Sequence, residues 1–138
     1  MKTESKEIVE KKEKKKPIGI SSRKAKGRNL QNKIRDTLFE AYQPLVEQDD
    51  IKCAIMGENG CDIHLSPQAR KVIAPLAVEA KCVEKLNIWS ALEQCEKNTK
   101  KDEIPVLFFK RNRSKTYCVL ELDNFMKFLK AYSELNKK

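Results

Sequence analysis

The segment Leu76-Ala77-Val78-Glu79-Ala80-Lys81-Cys82 limits the fold more than any other part of the chain. Its apolar content suits a buried strand, yet it carries a glutamate and a lysine two residues apart. Strand side chains alternate between faces, so Glu79 and Lys81 share one face while Val78, Ala80 and Cys82 point into the core. The preceding Cys61-Asp62-Ile63-His64-Leu65 alternates as well, with Cys61, Ile63 and Leu65 on the apolar face and Asp62 and His64 on the other. Pairing of the two strands would bring Asp62 to Glu79. Two such carboxylates repel each other and lose solvation, a conflict that a cation between them relieves; hard oxygen donors favour magnesium, or manganese. A lysine beside that cation suits phosphate chemistry.

At 138 residues the chain has room for one domain with one such constellation. The formal charge of +9 points to a polyanionic partner, and its distribution is uneven. Residues 1–26 carry ten Lys/Arg and four Glu, a net of +6, which leaves +3 for the rest. That stretch is poor in large apolar residues, so it is expected to be a disordered basic arm ahead of a folded domain over residues 27–138. Five cysteines, an odd number without zinc-type spacing, fit a reduced, cytoplasmic setting. No apolar run is long enough to span a membrane.

Along the chain, Leu30, Ile34, Leu38, Ala41 and Tyr42 recur at helical spacing from Gly27 until Pro44 stops the helix. Ile51 to Met56 reads as a first strand, and Gly57-Glu58-Asn59-Gly60 as the turn that delivers Asp62. Ser66-Pro67 has the form of a helix cap followed by Pro at the first helical position. Glu84 to Lys100 is a helix with Ile88, Leu92, Cys95 and Thr99 as its core stripe and Trp89 as a core anchor. Ile104 to Phe109 reads as a buried strand and Thr116 to Leu120 as its return. The tip between them, Lys110-Arg111-Asn112-Arg113-Ser114-Lys115, holds four cations and is expected to contact a DNA backbone. Asp123 caps a last helix whose inner face is Phe125, Phe128, Leu129, Tyr132 and Leu135. His64 is taken as structural and Glu58 as a solvated turn acid.

An Asp followed by Glu-x-Lys on the next strand resembles the motif of the PD-(D/E)xK nuclease superfamily. The surrounding Gly57 to Pro67 and Leu86 to Gln94 are similar to small phage-type, Holliday-junction-resolvase-like members, and the resemblance covers roughly Gly27 to Leu129. Cys61 stands where the motif has Pro, and Gln31 where many resolvases carry a glutamate. The resemblance implies an α/β fold with a restriction-endonuclease-like mixed β-sheet flanked by helices, an αβββαβ core. It implies that Asp62, Glu79 and the Ala80 carbonyl hold Mg2+, or Mn2+, that Lys81 orients the attacking water, and that Gln94 assists. It also places Arg28 and Gln31 near the site as phosphate or water contacts; the tip cations Lys110, Arg111, Arg113 and Lys115 are expected on the DNA backbone from their charge.

The expected activity is therefore metal-dependent hydrolysis of DNA phosphodiester bonds, of branched DNA above all. Two cuts from a chain with one site imply a homodimer. A restriction, repair or nicking endonuclease shares the same chemistry. A basic DNA-binding protein without catalysis shares the composition but not the reason for co-facing Asp62, Glu79 and Lys81.

Overall fold

The computed structural model describes residues 19–137, so the expected arm lies outside the described residues up to position 18. From position 20 onward the expectation is corrected. Helix α1 runs over Ile20–Tyr42, starting before Gly27, because Arg23-Lys24-Ala25-Lys26 is a run of good helix formers with no breaker. Its Leu30 and Ile34 are buried, and Leu38, Phe39 and Tyr42 pack against the same core. After a 3-10 turn at Gln48–Asp50, strands β1 (Ile51–Cys53) and β2 (Ile63–Leu65) pair antiparallel, with Lys52 opposite His64.

Helix α2 (Pro67–Val72) starts as its sequence signals: the Ser66 hydroxyl accepts from the Ala69 N–H at 3.0 Å. Strand β3 (Leu76–Cys82) then pairs in parallel with β4 (Ile104–Lys110), and α3 (Ile88–Lys97) makes the crossover. Strand β5 (Tyr117–Val119) returns antiparallel to β4, and α4 (Leu122–Leu135) ends the chain's described structure.

The architecture is mixed α/β, with four helices among the described residues. The strands form two small sheets, β1-β2 and β3-β4-β5, where one mixed sheet was expected. The break falls at Asp62, which precedes β2 and does not belong to it. Its backbone N–H still reaches the Val78 carbonyl at 2.8 Å, so the two sheets abut there without a continuous ladder.

Strand β3 is buried on both faces, as a strand in a parallel pair between helical layers must be. Val78 and Ala80 join Leu30, Ile34, Ile51, Ile63 and Ile73 in one core, with Cys82 packed against it. The opposite face, that of Ala77 and Glu79, lies under α3. There the expectation from sequence needs correcting. Cys95 is buried as expected, but Ala91 is the other buried residue of α3, Ile88 is 37% exposed, and Trp89 is 79% exposed. Small side chains let α3 approach so closely that the Cys95 thiol reaches the Ala77 carbonyl at 3.6 Å. An indole at that contact would hold the helix away.

The last helix departs furthest from expectation. Phe125, Leu129, Tyr132 and Leu135 are exposed, and within α4 only Asn124 and Phe128 are partly buried. Asp123 lies one position inside the helix, and Glu121 stands at its cap without a side-chain bond.

Candidate active site

Asp62 reaches β3 through two contacts made by one residue. Besides the backbone bond to Val78, its Oδ2 accepts from the Ala80 N–H at 2.7 Å. Gly57 and Gly60, at φ 86° and 108°, supply left-handed backbone in the loop that leads to it. The loop closes on itself through Glu58, whose carboxylate accepts from the Ile55 N–H at 2.7 Å and lies 3.6 Å from His64. Both are about half exposed; Glu58, expected as a solvated turn acid, also ties the loop together through the Ile55 N–H.

Glu79 is 3% exposed, the one buried charged residue among those described. Alternation on β3 sends it under α3 together with Lys81, whose Nζ lies 3.2 Å from Glu79 Oε1. The Glu79 carboxyl is pushed above its ordinary range, first by burial and then by the negative charge of Asp62; Lys81 and the Asn98 side chain pull the other way. Asp62 is pushed up by burial too, against the Ala80 N–H, Lys81 and His64. Each carboxylate is thus desolvated, and they are close enough for one to resist ionisation of the other.

That donor set suits a hard divalent cation. No group of three or more His, Cys, Asp or Glu gathers among the described residues. Magnesium, however, is commonly held by one or two carboxylates and keeps water and phosphate oxygens for its remaining positions. Asp62 and Glu79 are two such carboxylates, and a cation between them would relieve the burial of like charges.

The other expected residues distribute unevenly. Gln94 is exposed on α3, whereas Asn98, one turn on at the C-cap of that helix, is half-buried, and its side chain opposes the upward push on the Glu79 carboxyl. The sequence puts Asn98 on one polar stripe with Gln94, four residues on, but only Gln94 is carried to the site by the resemblance. Arg28 is exposed and Gln31 half-buried on α1, and neither makes a hydrogen bond or ion pair among the described residues. Their helix approaches the site further along. Asn32 Oδ1 lies 3.5 Å from the Cys53 thiol and Arg35 Nη1 4.0 Å from it, and the thiol is pushed up chiefly by burial, with Asp62 contributing. Arg35, Asp49, Lys52 and Cys53 also line a depression of about 510 Å3 between α1 and β1, which neither Asp62 nor Glu79 enters.

The cationic tip lies beyond the carboxyl ends of β3 and β4. Arg111, Arg113 and Lys115 are exposed, Lys110 is half-buried, and none is in an ion pair among the described residues. The turn is nevertheless ordered. Ser114 Oγ bridges the Arg111 N–H and the Lys115 carbonyl, and Glu84 accepts from the Asn112 N–H at 3.0 Å. Compared with family models, curated proteins and solved structures, the chain gives no match.

Proposed function

We propose that the protein is a metal-dependent endodeoxyribonuclease acting on branched DNA, in the manner of a Holliday-junction resolvase and as a homodimer. The observation that carries this reading is the burial of Glu79 beside Asp62 and Lys81. A lone surface acid needs no explanation, but a desolvated pair of carboxylates with a lysine at 3.2 Å is the kind of environment that functional sites create.

In this reading Asp62 and Glu79 hold Mg2+ or Mn2+, with the Ala80 carbonyl as a further donor. When bound, the cation neutralises charge on the scissile phosphate and lowers the pKa of water. Lys81, anchored by Glu79, presents its ammonium to the attacked phosphate, where negative charge accumulates in the transition state. Asn98, at the end of α3, favours the ionised form of Glu79. Gln94, on the same stripe but exposed, is placed to meet substrate rather than protein. The tip cations Lys110, Arg111, Arg113 and Lys115 follow the phosphate backbone away from the cut, and Arg28 and Gln31 contact DNA from α1.

Cleavage assays on purified variants test it. Asp62→Ala, Glu79→Ala and Lys81→Ala are each expected to lose magnesium-dependent cleavage while keeping DNA affinity within a few-fold, because the cationic tip is untouched. Undiminished cleavage by the Asp62 or Glu79 variant would remove the proposed metal site. Binding without cleavage by the unaltered protein would favour a noncatalytic DNA-binding role.

A further inference from the structure

Helix α4 has an apolar stripe and nothing among the described residues that covers it. Leu122, Phe125, Met126, Leu129, Tyr132 and Leu135 are between 37% and 72% exposed, and no described element makes more than slight contact with the helix, whose Asn124 and Phe128 alone are partly buried. We infer that this stripe is the surface through which two copies of the chain pair. The inference is independent of the nuclease reading, although it would supply the two sites that reading needs.

The spacing specifies the occupant. Leu122 and Leu129 are seven residues apart, as are Phe125 and Tyr132, and the two series interleave by three and four. That is the a and d pattern of a helix whose partner is another helix of the same kind. Met126, Phe128 and Leu135 widen the seam on either side of it. The charged residues Asp123, Lys127, Lys130 and Glu134 all fall at the positions away from the seam. A two-fold axis makes a self-pairing face meet the same face of its copy, so a seam free of charge is the composition that identical copies require.

Area and helix length agree. With about 200 Å2 for a large side chain fully in water, the six exposed residues offer roughly 700 Å2 per copy, close to the ~800 Å2 per partner of a standard interface. Moreover, α4 has only 14 residues, a length at which a helix without tertiary contacts is marginal in water. Its helical state thus calls for a partner on the apolar side.

Sedimentation equilibrium of the full chain over a dilution series, without DNA or divalent metal, tests the inference. The unaltered protein is expected at twice the 16.0 kDa chain mass. Phe125→Glu and Leu129→Glu are expected to weaken association about 30-fold or more, the effect of a hot-spot substitution, and Leu129→Met to leave it within a few-fold. Because these positions are exposed in the single chain, the Glu variants should still unfold cooperatively, with a Tm lowered only by the loss of pairing and independent of protein concentration. A monomer throughout the series would overturn the proposal and leave the face to a different protein. A dimer that survives both Glu substitutions would overturn it as well, by placing the interface elsewhere.

Discussion

Asp62 and Glu79 are held in conflict with folding, and the conflict is measurable. Both carboxyls titrate above their ordinary range, so the folded state binds their protons more tightly than the unfolded state does. Their protonation favours the fold at low pH, and that contribution is lost as pH rises through the raised values. Asp62→Asn retains an acceptor for the Ala80 N–H while removing the charge. In metal-free buffer at neutral pH it is expected to raise stability by on the order of 1 kcal/mol, a few degrees in Tm. The difference from the unaltered protein should vanish below about pH 4, where both carry a neutral side chain. Magnesium should raise the Tm of the unaltered protein and leave that of Asp62→Asn unmoved. At the tip, Arg113 has φ 60°, a backbone state that costs a non-glycine residue about 1–2 kcal/mol. Arg113→Gly is therefore expected to keep or raise Tm while weakening DNA binding, which a paired melt and titration would show. The Glu79 and Lys81 placement was legible because strand alternation is strict. For Asn98 only the stripe shared with Gln94 was legible; which of the two comes nearer Glu79 depends on how α3 settles over β3, which no period of two or 3.6 encodes.

Individual elements were read well where the signal was local. Ser66 with Pro67 marked the start of α2, the apolar run from Ile104 marked β4, and the helical spacing around Leu30 and Ile34 marked α1. Face assignment failed where two apolar stripes competed on one helix. On α3 the expected stripe of Ile88, Leu92, Cys95 and Thr99 with Trp89 as anchor holds at Cys95, but close approach to β3 selects Ala91 in place of Ile88 and Trp89. A pair of substitutions separates the two assignments in chemical denaturation. Trp89→Ala is expected to change stability by no more than about 0.5 kcal/mol, as a surface change does. Ala91→Leu is expected to cost about 1–3 kcal/mol through overpacking against β3. A loss of several kcal/mol for Trp89→Ala would restore the indole to the core. On α4 the amphipathic pattern was read correctly and its destination was not: amphipathicity says that one face must be covered, not by which molecule.

Across the whole molecule, α1 and α3 both pack on β3, which buries Glu79, and the cationic tip follows the carboxyl end of β4. The restriction-endonuclease-like core was an expectation of resemblance; the mixed α/β character with a parallel β3-β4 pair is what the structure displays, and the division into two sheets at Asp62 was not legible because strand pairing is a long-range property. Charge belongs to this scale too. Replacing Arg111, Arg113 and Lys115 together by Ala is expected to flatten the log-log salt dependence of duplex binding by up to about 0.9 for each phosphate no longer neutralised, without altering the cleavage of DNA already bound. The most direct test of the central claim is a time course on a four-way DNA junction and on linear duplex of equal length, each with magnesium and with chelator. The account predicts cleavage of the junction in magnesium alone, faster than cleavage of the duplex, and none from Asp62→Asn. Equal inactivity on both substrates with magnesium, by a folded protein that binds the junction, would contradict it.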